Sequence, residues 1–150
     1  MLRNSLNDAL KEAMRSKDKL AISTLRLILA ALKDRDIAAR GEARDQIGEE
    51  EVLEMLQKMI RQRRDSVEMY EKAGRSELAE RELSEITVIE GFLPQQMSVE
   101  EVEQVVTDLV AELGADSIKD MGRVMGVLKE RYAGKMDFGK ASGLVKTKLV

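Results

Sequence analysis

A single proline among 150 residues constrains this chain more than any other feature. Pro94 lies in Gly91-Phe92-Leu93-Pro94-Gln95-Gln96-Met97-Ser98, with helical patterns on both sides. Its ring lacks an amide hydrogen and clashes with the preceding turn, so a helix running through it would break or kink. Leu93, just before it, is pushed toward extended backbone. Ser98-Val99-Glu100-Glu101 then reads as a capping box, in which the Ser98 hydroxyl accepts from the Glu101 amide and the Glu101 carboxylate reaches back. A helix stop followed at once by a helix start predicts two domains, residues 1–93 and residues 94–150.

Periodicity supplies the helices on either side. Leu2, Leu6, Leu10 and Ala13-Met14 form one apolar stripe over Leu2 to Ser16, and Asp18 is the expected N-cap of the next helix. That helix, about 19 to 40, is apolar on most sides through Leu20, Ile22, Leu25, Leu27, Ile28, Leu29 and Leu32, the mark of a central element. Its polar end, from Lys33-Asp34-Arg35-Asp36, is expected to project from the core before Gly41, a left-handed terminator or loop opener. A third helix opens after Gly48 on Glu49-Glu50-Glu51, where the helix dipole favours negative charge; that preference explains the carboxylates without a metal. It carries Val52, Leu56, Met59-Ile60, Val67 and Tyr70 and stops at Gly74; Arg64 is placed to pair with Glu68. Ser76 is the expected cap of a fourth helix that ends at Pro94.

Three further helices follow: an acidic one from Ser98 to Leu113, one over about 118–132, and one capped by Asp137. Gly122 and Gly126 lie one turn apart, and each costs about 1 kcal/mol relative to alanine in a helix. Such a pair signals close approach on that face, either by a packed helix or by a nucleic-acid backbone or partner. The fold class is all-α: a four-helix, bundle-like N-terminal domain and a small three-helix C-terminal domain.

Absences narrow the chemistry. The chain has no histidine and no cysteine, which removes Ser-His and Cys-His nucleophilic sites, His-ligated zinc and disulfides. It has no phosphate-cradling Gly-x-x-x-x-Gly-Lys-Ser/Thr or Gly-x-Gly-x-x-Gly loop. No apolar run approaches the roughly 18 residues that a membrane span needs. Met1-Leu2-Arg3-Asn4-Ser5 has no signal core, so a cytoplasmic protein is expected. No catalytic residue, metal ligand or cofactor site is assigned.

The net charge of −3 hides a segregation: +4 over residues 1–40, −12 over 41–118 and +5 over 119–150. Either the opposed faces solubilise the chain and pair with each other, or one of them meets a polyanion. The candidate RNA-binding residues are Lys119, Gly122, Arg123, Gly126, Lys129, Arg131, Lys135, Lys140, Lys146 and Lys148.

Arg63-Arg64-Asp65-Ser66, Tyr70-Glu71-Lys72-Ala73-Gly74-Arg75, Leu78, Glu85-Ile86 and Leu93-Pro94 together resemble the GatB/YqeY family of YqeY-like proteins. Leu25-Arg26-Leu27 and Ala31-Leu32-Lys33 fit its early helices. Asp120-Met121-Gly122-Arg123-Val124-Met125-Gly126 and Gly134-Lys135-x-Asp137 fit its second domain. The resemblance covers essentially the whole chain, departing at Met136-Asp137-Phe138, where smaller residues are expected around the aspartate. It implies an all-helical fold whose C-terminal domain is similar to the tail domain of the B subunit of the glutamine-dependent aspartyl/glutamyl-tRNA amidotransferase, which helps to hold tRNA. It also implies a family-level activity label, a carbon–nitrogen ligase with glutamine as amido donor.

Three functions follow for comparison. The first is a non-catalytic tRNA-binding adaptor linked to tRNA-dependent amidation or translation. Because stacking aromatics are scarce, it would read phosphate and shape. The second is a protein-interaction module that docks on a translation or metabolic enzyme through the acidic face of residues 98–116 or the Arg61–Arg75 helix. The third is the amidotransferase itself, for which the chain shows neither an activated nucleophile nor an ATP site.

Overall fold

The computed structural model describes residues 1–150 and is all-helical, without a strand. It divides into two compact units, Met1–Leu93 and Pro94–Val150. The first contains α1 (Leu2–Ser16), α2 (Lys19–Arg40), α3 (Glu49–Lys72) and α4 (Ser76–Glu90). The second contains α5 (Val99–Glu112), a 3-10 turn (Ile118–Asp120), α6 (Met121–Arg131) and α7 (Phe138–Leu149).

In the first unit α2 is the central helix, touching α1, α3 and α4. Leu6, Leu25, Ile28, Leu32, Val52, Met55, Leu56, Ile86 and Ile89 close its core. Not every apolar residue of α2 is buried: Leu27 and Ile37 stay half exposed. Left-handed residues and caps set the helix ends. Lys17 ends α1 at φ 59°, and the Asp18 carboxylate accepts from Ala21 N–H at 3.1 Å to open α2. Gly74, at φ 71°, ends α3 in the conformation that a Cβ disfavours.

Several local expectations are corrected. The C-terminal end of α2 does not project. Asp36 takes both guanidinium nitrogens of Arg3 at 2.7 Å and the Ile47 N–H at 3.0 Å, while Arg3 also donates to the Ile47 carbonyl at 2.9 Å. This network ties α1, α2 and the loop before α3 together, and beyond it Ala39 is buried. Gly41 opens the loop after α2 as one of its two expected roles, but it is right-handed at φ −64°, and Ala43, at φ 61°, makes the left-handed turn. Ser76 does not cap α4; Arg75 precedes the helix, and no side chain bonds its first amides. Arg64 pairs with Glu90 at 3.1 Å, leaving Glu68 to Lys72 at 3.0 Å. Arg64 points across to α4, which packs along α3, so the contact within its own helix is not made.

A second largely buried ion pair of the first unit joins α3 to α4. Arg63 Nε donates to Glu85 Oε2 at 3.0 Å, with the two side chains only 13% and 10% exposed. Arg81 approaches the other Glu85 oxygen at 3.6 Å. A charge pair so far out of water is held by its geometry, because either partner alone would carry an uncompensated desolvation cost.

In the second unit, Val106, Leu109, Val124, Leu128, Met136, Ala141, Val145 and Leu149 are buried together. The Ser98 capping box forms in both directions, at 3.1 Å each way. Gly114, at φ 61°, ends α5. The segment after Pro94 is fastened to the turn before α7: Met97 N–H donates to the Lys135 carbonyl at 2.9 Å, and the Gln96 amide to the Gly134 carbonyl at 2.6 Å. Met136 is buried and Phe138 half-buried in this core, which accounts for the large residues flanking Asp137.

Candidate nucleic-acid interface

α6 turns Val124 and Leu128 inward, both fully buried, so at 3.6 residues per turn positions 122, 126 and 129 point away from the core. Gly122, Gly126 and Lys129 occupy them, and all three are exposed. Beyond the adjoining turns of its own helix, a Cβ built at either glycine meets no atom within 4 Å. This corrects one of the two sequence-based alternatives: no helix of this unit packs on the glycine pair. What the pair leaves bare is helix backbone facing solvent.

α7 repeats the arrangement. Asp120-Met121-Gly122-Arg123-Val124-Met125-Gly126-Val127-Leu128-Lys129 and Asp137-Phe138-Gly139-Lys140-Ala141-Ser142-Gly143-Leu144-Val145-Lys146 match as Asp, apolar, Gly, basic, two residues, Gly, two apolar residues, Lys. Ala141 and Val145 are fully buried, as Val124 and Leu128 are, while Gly139, Gly143 and Lys146 are exposed. A Cβ at Gly143 also meets open space. Gly139 and Gly143 were not among the sequence candidates. The signal that finds them is this 17-residue self-similarity, which becomes visible once the two helices are aligned on their buried positions.

The basic candidates separate into two groups. Arg131 is committed to Glu112 through two bonds of 2.8 and 3.0 Å, which hold the Glu112 carboxyl below its usual range and raise the guanidinium. Arg123 bonds Asp120 at 3.2 Å. The Asp120 carboxyl is also lowered, chiefly by the Asp116 N–H that it accepts at 3.1 Å. By contrast Lys119, Lys129, Lys135, Lys140, Lys146 and Lys148 are exposed and stand outside these ion pairs. Tyr132 and Phe138, the aromatic residues of this unit, are partly buried against its core and offer no open stacking platform.

What the arrangement offers chemically is a set of point charges beside bare backbone. Lysine is a compact cation on a flexible stem, suited to phosphate rather than to planar base edges. The fold holds no group of three or more carboxylates that could hold a metal. In the first unit, the Arg61–Arg75 stretch is largely spent internally: Arg63, Arg64, Lys72 and Arg75 are all paired with carboxylates of α3 and α4.

Comparison with known proteins adds the family. The model of a family described as Yqey-like protein matches residues 3–149. Curated relatives include the protein named altered inheritance of mitochondria protein 41, mitochondrial. The one from Lachancea thermotolerans is 38% identical over 111 residues, covering 73% of this chain and 58% of that protein. The one from Vanderwaltozyma polyspora is 32% identical over 123 residues, covering 77% and 64%. The one from Kluyveromyces lactis is 34% identical over 112 residues, covering 73% and 58%. The matched part thus spans between half and two thirds of these relatives' own length.

Proposed function

Because this chain belongs to the YqeY-like protein family, we propose that it is a non-catalytic adaptor that holds tRNA through its C-terminal unit and serves tRNA-dependent amidation or translation. One observation carries the reading: α6 and α7 each present an exposed Gly-x-x-x-Gly-x-x-Lys face over a buried apolar one. A phosphodiester backbone approaches such a face closely, because no Cβ intervenes and the lysine at its end supplies the charge. Gly122 and Lys129 serve α6, Gly143 and Lys146 serve α7, and Lys119, Lys135, Lys140 and Lys148 flank them. Arg123 and Arg131 belong to the same surface but are already bonded to carboxylates, so they contribute less.

Recognition of this kind fixes position and shape without reading bases. A cytoplasmic site of action is part of the same proposal; the names of the relatives place those proteins in mitochondria. No helix of the chain is long and apolar enough to cross a membrane. The test is titration of the purified chain with bulk tRNA, followed by fluorescence anisotropy at several salt concentrations. Affinity that falls steeply with salt is expected, and binding that is absent or indifferent to salt would sink the reading.

A further inference from the structure

A second site lies in the N-terminal unit, on residues other than those assigned to RNA. An open groove of about 820 Å³ runs between the end of α1, the first turns of α2 and the middle of α4. Its apolar floor is Met14, Ile22 and Leu27, with Met14 and Leu27 half exposed at 51% and 50%. It adjoins a second cavity of about 470 Å³ that shares Leu27, Arg81 and Glu85.

The rim is cationic. Lys17, Lys19, Arg26 and Arg81 line the groove, and the one carboxylate among its lining residues is Glu85, which already bonds Arg63 at 3.0 Å and lies 3.6 Å from Arg81. Asp18, between the two lysines, directs its carboxylate to the Ala21 amide as the cap of α2. Lys17, Lys19 and Arg26 have no such partner. Lys17 also holds a left-handed backbone, φ 59°, that glycine or asparagine would enter freely; the residue found there puts an ammonium at the rim instead.

Unpaired cations around an exposed apolar floor call for a partner that is apolar on one stripe and acidic beside it. A small apolar anion fits less well, because ligand pockets bury most of their ligand and these walls leave their own Met14 and Leu27 half in water. A nucleic-acid strand would satisfy the cations but leave the apolar floor without a matching surface. We propose that this groove docks an acidic amphipathic helix of a partner protein. Leucine-type side chains at i, i+4 and i+7 would sit over Met14, Ile22 and Leu27, and flanking carboxylates would meet Lys17, Lys19, Arg26 and Arg81. The adaptable thioether of Met14 suits such a floor.

The inference goes beyond the RNA reading and does not depend on it. It is tested on the full chain with a fluorescent amphipathic peptide carrying leucines on one stripe and glutamates beside it. The comparison peptide has every glutamate replaced by lysine. The acidic peptide is expected to bind, the lysine peptide not, and Leu27→Asp and Arg26→Glu are each expected to weaken binding by about tenfold or more. Both positions are exposed, so the variants should fold; circular dichroism checks this, and tRNA affinity should be the same as for the parent chain. Equal binding of the two peptides, or binding untouched by either substitution, would overturn the proposal. So would failure of the acidic peptide to bind the parent chain, or displacement of that peptide by tRNA.

Discussion

Replacing Gly126 and Gly143 by alanine is expected to move stability and RNA affinity in opposite directions. Both glycines lie inside helices, α6 and α7, where glycine is unfavourable relative to alanine by roughly 0.5–1 kcal/mol through backbone entropy. Beyond the adjoining turns of its own helix, neither would bring its new methyl group within 4 Å of another atom, so no packing cost offsets that gain. Both are right-handed helical positions with no positive φ, so alanine adopts the same backbone without strain. The pair should therefore stabilise the C-terminal unit by about 1–2 kcal/mol, or a rise of very roughly 4–8 °C in its Tm per kcal/mol for a unit of this size. If the bare backbone is what lets a phosphate strand approach, the same two methyl groups should weaken tRNA binding while leaving all six unpaired lysines in place. Thermal melting by circular dichroism and anisotropy titration with tRNA give the two readouts. A destabilised double variant would refute the open-face geometry. A stabilised variant with undiminished affinity would refute the role given to the glycines.

Two further predictions concern the N-terminal unit. Glu85→Ala leaves the Arg63 guanidinium largely out of water without its carboxylate, and urea melts should show a loss of about 3–5 kcal/mol; removing both charges in an Arg63→Met, Glu85→Met variant should cost far less. Asp36 is held below the usual carboxylate range, first by the Arg3 hydrogen bonds and then by the Ile47 amide. A lowered folded-state pKa means that its stabilisation is fully present above the unfolded value of about 3.9 and disappears as pH falls through the folded value. The stability gap between the parent chain and Asp36→Asn should therefore be widest near neutral pH and close in acid; a gap that stays constant down to pH 2 would contradict the network.

Most of the fold could be read from local signals. Pro94, the Ser98 capping box and the Asp18 cap depend on residues within a turn of one another, and the apolar stripes of α1, α3 and α5 follow from helical periodicity. The misjudged features were those that a tertiary partner decides. Arg64 leaves Glu68 for Glu90, twenty-six residues away, because α4 packs along α3. The end of α2 looks polar and free, yet Arg3, thirty-three residues earlier at the start of α1, bonds Asp36 there. Gly41, expected as a left-handed terminator or a loop opener, opens the loop after α2, but the left-handed residue is Ala43, which no propensity indicates. The basic end and its glycine pair were legible as residues, but not the emptiness around them. Whether a helical glycine admits a neighbour is a fact about the neighbour, and the matching pair in α7 emerges only when the buried registers of both helices are known.

The most direct test of the central claim is the salt dependence of tRNA binding, measured for the parent chain and for Lys129→Ala, Lys146→Ala and their combination. The six exposed lysines by themselves account for a slope of log affinity against log salt near −5 at most, since each phosphate neutralised contributes about −0.9. The account predicts a slope of several units that becomes shallower by about one for each lysine removed. A parent slope near zero, or a slope unchanged when both lysines are gone, would contradict it.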